Sequence, residues 1–223
     1  NEKKQLLSGD NSFHQIKDKN QLFISHANYF VEIGGKKYDR VLEGIKQTSA
    51  SPIIFNLDDY TFRYENDREP FKNISREVFL IKGMSFLLGI FLKYFWFKKL
   101  RVLKKIQIEA GALDKPVISE MEISIRICYI FLLSKYITHL LKLLRVDQIY
   151  QAMYYDNFGL ASGLASHNLS LKNHCVQHGG QSENNPAFGS WKVMSDKGYA
   201  FLPDYFLCWN EASSRSVDSW CKR

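Results

Sequence analysis

DQIYQAMYYDNFGLASGLASHNLSLKNHCVQHGG, residues 147–180, decides how this chain is built. DQIYQAMYY (147–155) reads as a buried strand. DNFGLASGLASHNL (156–169) reads as a helix opening on Asp156 or Asn157 as N-cap, and KNHCVQ (172–177) as a second strand. A strand, a helix and a strand within some thirty residues make a βαβ unit, whose strands lie parallel and whose crossover is right-handed.

Working outward, the same alternation recurs. QLFISH (21–26) predicts a short buried strand. IGGKKY (33–38) predicts a turn leading into a helix, Tyr38 to Gln47, with Val41, Leu42 and Ile45 as its apolar stripe. Ser51-Pro52 stops that helix. PIIFNLDDY (52–60) is a second buried strand ending in two aspartates, and TFRYENDREP (61–70) a polar loop. Residues 74–108 and 117–145 read as helices broken by LDKP (113–116). A loop, 179–203, leads to the strand DYFLCW (204–209) and a helix from 210 with Asn210 as cap. The expectation is an α/β domain, a Rossmann-like doubly wound parallel sheet covered on both faces, over 21–211. Residues 1–20 are a polar arm before it.

The chain of 223 residues can bury a sizeable core. Its formal charge of +7 favours an anionic partner. The charge is concentrated: Lys93, Lys98, Lys99, Arg101, Lys104 and Lys105 fall within thirteen residues. They follow an uncharged run, Gly83 to Leu92, whose ten residues are too short to span a bilayer. Two readings fit. One is a core helix with a solvated basic end. The other is an aromatic, basic helix on an anionic membrane surface, with Trp96 dipping in and Lys93, Lys98 and Lys99 meeting lipid phosphates. Nucleic acid is the weakest partner, because no recognition motif accompanies the basic residues. Four separated cysteines without a CxxC pair suit buried free thiols and a cytoplasmic location.

His174 and His178 have an HxxxH spacing, but the segment reads as a strand and no downstream set completes a tetrahedron, so zinc is not expected. Cys175 and His174 are adjacent on a strand and point to opposite faces, which disfavours a nucleophile pair. Position is more informative. Ligands of open parallel sheets bind beyond the carboxyl ends of the strands. There lie His26, Asp58 with Asp59, Asp156 with Asn157, and Gln177-His178-Gly179-Gly180. The glycines would let backbone N–H groups approach an anion, and a histidine beside them can act as a base near neutral pH. Phe188, Trp191 and Tyr199, in the long aromatic loop, would form a platform for a sugar ring.

These motifs have a precedent. Gln177-His178-Gly179, Pro186-Ala187-Phe188-Gly189-Ser190-Trp191, Gly198-Tyr199, Leu202-Pro203-Asp204 and Trp209-Asn210-Glu211 together resemble a segment of glycosyltransferase-like proteins of bacterial capsule and surface-polysaccharide biosynthesis. HANYFVEIGGKKYDRVLEGI (26–45) is similar to that family's opening strand and turn; the helices between match in general character only. The resemblance implies the N-terminal, acceptor-side half of a GT-B architecture, with 212–223 beginning the link to a second domain. It implies transfer of a sugar from a nucleotide sugar to a glycan or lipid-linked acceptor, at the inner-membrane surface or in the cytoplasm. His178 would be base or donor-phosphate contact, with Asp156 and Glu183 as alternative carboxylate bases. His26, Asn157, Gln177, Gly179, Gly180 and the loop aromatics would bind substrate. No cofactor beyond the donor is implied; no D-x-D triplet is present, and the metal requirement stays open. Two rivals remain: a sugar-nucleotide epimerase or hydrolase of the same architecture, and a non-catalytic glycan- or membrane-binding module.

Overall fold

The computed structural model describes residues 20–49, 52–64, 69–109, 118–179 and 199–221. Nine strands are present among them: β1 Asn20–Ser25, β2 Phe30–Ile33, β3 Lys36–Asp39, β4 Pro52–Asn56, β5 Thr61–Tyr64, β6 Lys72–Asn73, β7 Val146–Gln151, β8 Lys172–Val176 and β9 Tyr205–Leu207. The helices are α1 Glu43–Lys46, α2 Ser75–Glu109, α3 Glu120–Leu143, α4 Asn157–Leu169 and α5 Glu211–Cys221.

Seven strands form one mixed sheet in the order β6-β5-β4-β1-β7-β8-β9. The five strands from β4 to β9 are mutually parallel, and β5 and β6 add an antiparallel edge. Numbered along the chain, the parallel strands run 2-1-3-4-5. The direction of winding therefore reverses between β1 and β7, the point at which such sheets open a crevice for ligands.

The βαβ expectation holds for β7, α4 and β8 to within a few residues. β1 is buried along nearly its whole length, as a central parallel strand must be. Leu22, Ile24, Ile53, Phe55 and Ile149 of the sheet pack under α3 and α4, chiefly against Leu133, Ile137, Leu141, Phe158 and Ala161. The opposite face is covered more thinly: Leu42 is fully buried on Phe23, Tyr150 and Val176, with Val41 and Ile45 beside it. Phe23, Tyr150, His174 and Tyr205 stack in a row across four strands of that face, at centroid spacings of 4.9, 4.6 and 4.8 Å. The row runs from a buried ring to one that is 48% exposed.

Two expectations need correction. The turn expected over 33–38 is present at Gly34 (φ 58°) and Gly35 (φ 76°), but it closes an antiparallel hairpin of β2 and β3 and does not lead into a helix. Two successive positive φ values make the tight turn that glycine permits and that suits a twisted hairpin. The helix expected over Tyr38–Gln47 shrinks to α1, because Asp39 caps its approach by accepting from the Val41 and Leu42 N–H groups. The polar loop expected over 61–70 instead begins with β5, which pairs with β4 in register Phe55 to Phe62. Lying between β4 and the two-residue β6, it buries only Phe62 fully, so its sequence looks like a loop.

Candidate functional site at the strand-order reversal

β1 ends at Ser25, and His26 leads into a single 3-10 turn, Ala27–Tyr29, closed by Tyr29 N–H to His26 C=O at 3.0 Å. Below it, Ser25 Oγ donates to the buried Asp39 carboxylate at 2.5 Å. This fixes the turn against the hairpin, so His26 and Tyr29 hang over the carboxyl ends of β1 and β7.

His26 lies between two carboxylates, with Nδ1 3.9 Å from Asp58 Oδ2 and Nε2 3.8 Å from Asp156 Oδ2. These spacings are electrostatic rather than hydrogen-bonding. Asp156 holds its place as N-cap of α4, where its Oδ1 accepts from Gly159 N–H at 2.5 Å. Its other oxygen is thereby left to face His26. Asn157 accepts from Arg126 Nε of α3 at 2.8 Å and ties α3 to the same edge. Asp59 turns away and closes the β4–β5 turn on Thr61.

From β8, His178 completes the group. The Tyr155 hydroxyl lies 3.3 Å from His178 Nε2. Tyr29 stands between the two histidines, 5.5 Å edge-on from His26 and 5.7 Å from His178 by ring centroids. Burial, followed by the nearby Tyr155 and Asp156, pushes the Tyr29 hydroxyl well above the ordinary phenol range. Burial likewise raises Tyr155, so both keep their protons as donors. Burial also lowers His178 below the ordinary imidazole value, with His26 and Arg40 acting in the same direction and a bond to its own main chain opposing them. His178 is therefore neutral near pH 7 and has a lone pair to offer. Among the described residues, His26 Nε2 and Tyr29 Oη are buried and have no hydrogen-bond partner.

Gln177 has a different place from the one expected. It is buried and accepts from Trp209 N–H at 2.8 Å, while its amide donates to Gly179 C=O at 3.0 Å and Ser213 Oγ at 3.1 Å. It braces β8 to β9 and α5 and positions His178 from within the fold. Among the described residues, a Cβ on Gly179 would meet nothing within 4 Å. Tyr199 stacks on Phe201 at 5.3 Å and packs with Leu202 in the cluster of Tyr154, Cys175 and Val217, so it is no open platform. Gly180, Glu183, Phe188 and Trp191 lie outside the described residues. Lys93 and Trp96 stand on α2, far along the chain from these strand ends; for Lys98 and Lys99 only the helical backbone is described.

His174 is sandwiched between Tyr150 and Tyr205, and Cys175 is buried on the other face with its thiol pushed well up by burial, so neither joins the site. Cys128, Cys175 and Cys208 are free. Among the described residues, no group of three or more His, Cys, Asp or Glu side chains could hold a metal ion. Tyr29 and Tyr155 were not among the sequence candidates. The available signal was position, since Tyr155 directly precedes the Asp156 cap and Tyr29 lies three residues beyond His26.

Beside the polar group, an apolar cavity of about 400 Å³ is lined by Ile130, Tyr154, Tyr155, Leu160, Leu164 and Phe201. Tyr155 belongs to both: its ring lines the cavity and its hydroxyl meets His178. Compared with protein-family models, curated proteins and solved structures, the chain matches none.

Proposed function

We propose that this chain is the acceptor-side, N-terminal domain of a GT-B glycosyltransferase acting in bacterial surface-polysaccharide assembly. The observation that supports this reading is the meeting of His26, Tyr29, Asp156, Tyr155 and His178 at the strand-order reversal between β1 and β7. A neutral histidine, a carboxylate and two protonated phenols at a ligand crevice suit deprotonation of a sugar hydroxyl and binding of polar hydroxyl groups. The motifs around His178 resemble those of such transferases.

In this reading the acceptor hydroxyl passes its proton to His178 Nε2 by way of the Tyr155 hydroxyl, which lies on that nitrogen, and Asp156 with His26 offers a second carboxylate–imidazole pair. The acceptor oxygen bonds to the anomeric carbon of the donor. The bond from that carbon to the phosphate oxygen breaks, and its electron pair leaves with the nucleotide. The backbone at Gly179 and Gly180 is the proposed approach for donor phosphate.

The test is incubation with a panel of nucleotide sugars, with and without glycan and lipid-linked acceptors, followed by mass spectrometry of the products. A new glycosidic product that disappears in His178→Ala supports the reading. An isomerised or hydrolysed donor without an acceptor product would favour an epimerase or hydrolase, and an undiminished rate in His178→Ala would remove the assigned base.

A further inference from the structure

α2 and α3 pack antiparallel, and among the described residues the surface of α2 from Phe79 to Trp96 is largely apolar and exposed. On α2, Phe79 is 75% exposed, Leu87 68% and Phe91 61%; on α3, Phe131 is 55% exposed. Ser75–Trp96 and Glu120–Leu143 are each long and apolar enough to cross a membrane by length and composition, despite the short uncharged run within the first. The α2 backbone departs from helical geometry at Trp96, which ends the regular apolar stretch.

The angular layout narrows what can cover this surface. At about 100° per residue, the buried Val78, Ile81, Ser85 and Gly89 form one stripe of α2 turned toward α3 and the sheet core. The exposed apolar residues from Phe79 to Phe95 occupy an arc of roughly 200° on the other side. A helix packed on one protein surface shows an apolar stripe of about 100°. An arc twice as wide suits a fluid apolar medium that closes around the helix. Lys82 and Lys93 both fall on one flank of the arc, between it and the buried stripe. From Val78 to Ile108 the sequence has no acidic residue and seven basic ones, and from Ile123 to Val146 again no acidic one.

The contact between the helices has the same character. Ser85 and Gly89 stand four residues apart on the α2 stripe. A Cβ on Gly89 would lie 2.6 Å from the Ile125 side chain and 2.7 Å from its Cα, so the backbones touch there. Ser124 Oγ donates to Gly89 C=O at 2.7 Å, and Ser85 Oγ to Ile81 C=O at 2.6 Å. Small residues with internally satisfied hydroxyls are how helices associate where the hydrophobic effect between them is weak.

We propose that the α2–α3 hairpin lies embedded in the plane of an anionic bilayer, with its wide apolar arc among the acyl chains and Lys82 and Lys93 at the phosphates. In-plane seating fits better than spanning, because Val78, Ile81 and the second half of α3 are held in the sheet core, and the two lysines share one flank. The hairpin is tied to the carboxyl edge of the sheet at two points, Ser75 Oγ to Asp59 C=O at 3.3 Å and Arg126 to Asn157. Ile130 of α3 also lines the cavity that reaches Tyr155. Membrane seating thus brings lipid to the site. Resting on the glycosyl-transfer reading, the acceptor this arrangement suits is a lipid-linked one, with its chain in the cavity and its head group at Tyr155 and His178.

The test needs no turnover, so it stands apart from that reading. The full chain is floated with vesicles of phosphatidylcholine and phosphatidylglycerol at 7:3, then washed in 1 M salt. The expected result is flotation that survives the wash, weakens on pure phosphatidylcholine, and falls at least tenfold in Leu87→Glu/Phe91→Glu with circular dichroism unchanged. Lys82→Gln/Lys93→Gln should lose the preference for phosphatidylglycerol while retaining salt-resistant binding. Absence of flotation, or release by salt, overturns the proposal. So does a detergent-free dimer dispersed by Leu87→Glu/Phe91→Glu, which would make a second copy the cover.

Discussion

The Tyr155 hydroxyl lies 3.3 Å from Nε2 of His178, joining the end of β7 to the end of β8 across the opening of the crevice. Burial keeps the phenol protonated, so it can donate to Nε2 and thereby favour the tautomer in which that nitrogen is unprotonated. Tyr155→Phe removes this donor and leaves the ring in the cavity lining. Activity should fall about tenfold, the effect of losing one modest hydrogen bond of about 1.4 kcal/mol. The acid limb of the pH–rate profile should move to higher pH, because a bond to the neutral imidazole is lost. His178→Ala should cost more, on the order of 10²–10⁴. An unmoved acid limb in Tyr155→Phe would show that the contact does not set the imidazole's state.

Stability should depend on pH through two histidines. Burial lowers both His174 and His178 below the ordinary 6.5, in each case as the largest cause. The unfolded chain then takes up protons near pH 6.5 while the folded chain still resists them. Between the ordinary value and the lowered ones the unfolded state binds more protons, so stability rises with pH in that window. Melting temperature should be level above pH 7 and decline as pH falls through 6.5. The double variant His174→Phe/His178→Gln should flatten the decline, with Phe keeping the stack between Tyr150 and Tyr205. Parallel curves for variant and parent would refute the assignment.

How much of this was legible in the sequence depended on burial. β1 and β4 carry apolar runs, Leu22 to Ile24 and Ile53 to Phe55, because both faces are covered, and such runs are visible without any partner in view; β7 and β8 are more polar and were legible through the capped helix between them. Asp156 was legible as a cap because capping is local, set by residues 156 to 159. β5 was not, because only Phe62 of its four residues is fully buried and the polar stretch that follows has a loop's composition. The turn at Gly34-Gly35 was legible from its paired glycines, but the strands it joins were not, and Tyr38, expected to begin a helix with Val41, Leu42 and Ile45 as its stripe, belongs to β3. Tyr29 and Tyr155 join the site through contacts made in space, from turns 126 residues apart in sequence, so periodicity could not select them. Gln177 looked like a ligand contact because it precedes His178, yet its three bonds all lie inside the fold.

Those bonds make Gln177 a test of the brace between β8, β9 and α5. Gln177→Leu keeps the size but leaves the Trp209 N–H and Ser213 hydroxyl without their partner. The expected cost is about 1–3 kcal/mol, the penalty of stranding a partly buried donor. Urea denaturation followed by circular dichroism measures it. A midpoint equal to that of the parent would mean water replaces the amide and the brace is dispensable.

Asp156 separates a structural duty from an electrostatic one. Its Oδ1 caps α4 at Gly159 N–H, and its Oδ2 faces His26 at 3.8 Å. Asparagine caps helices about as well as aspartate, so Asp156→Asn should leave stability within a few tenths of a kcal/mol, whereas Asp156→Ala should lose about 1 kcal/mol. The charge facing His26 is gone in both. If the carboxylate acts in the reaction, turnover falls by a similar factor in the two variants although only one is destabilised. If Asp156 is a cap and nothing more, Asp156→Asn retains full activity and only the alanine variant is impaired. Thermal melts and product formation measured on the same two proteins decide between these outcomes, because the cap acts on both states of the substrate alike and the charge does not.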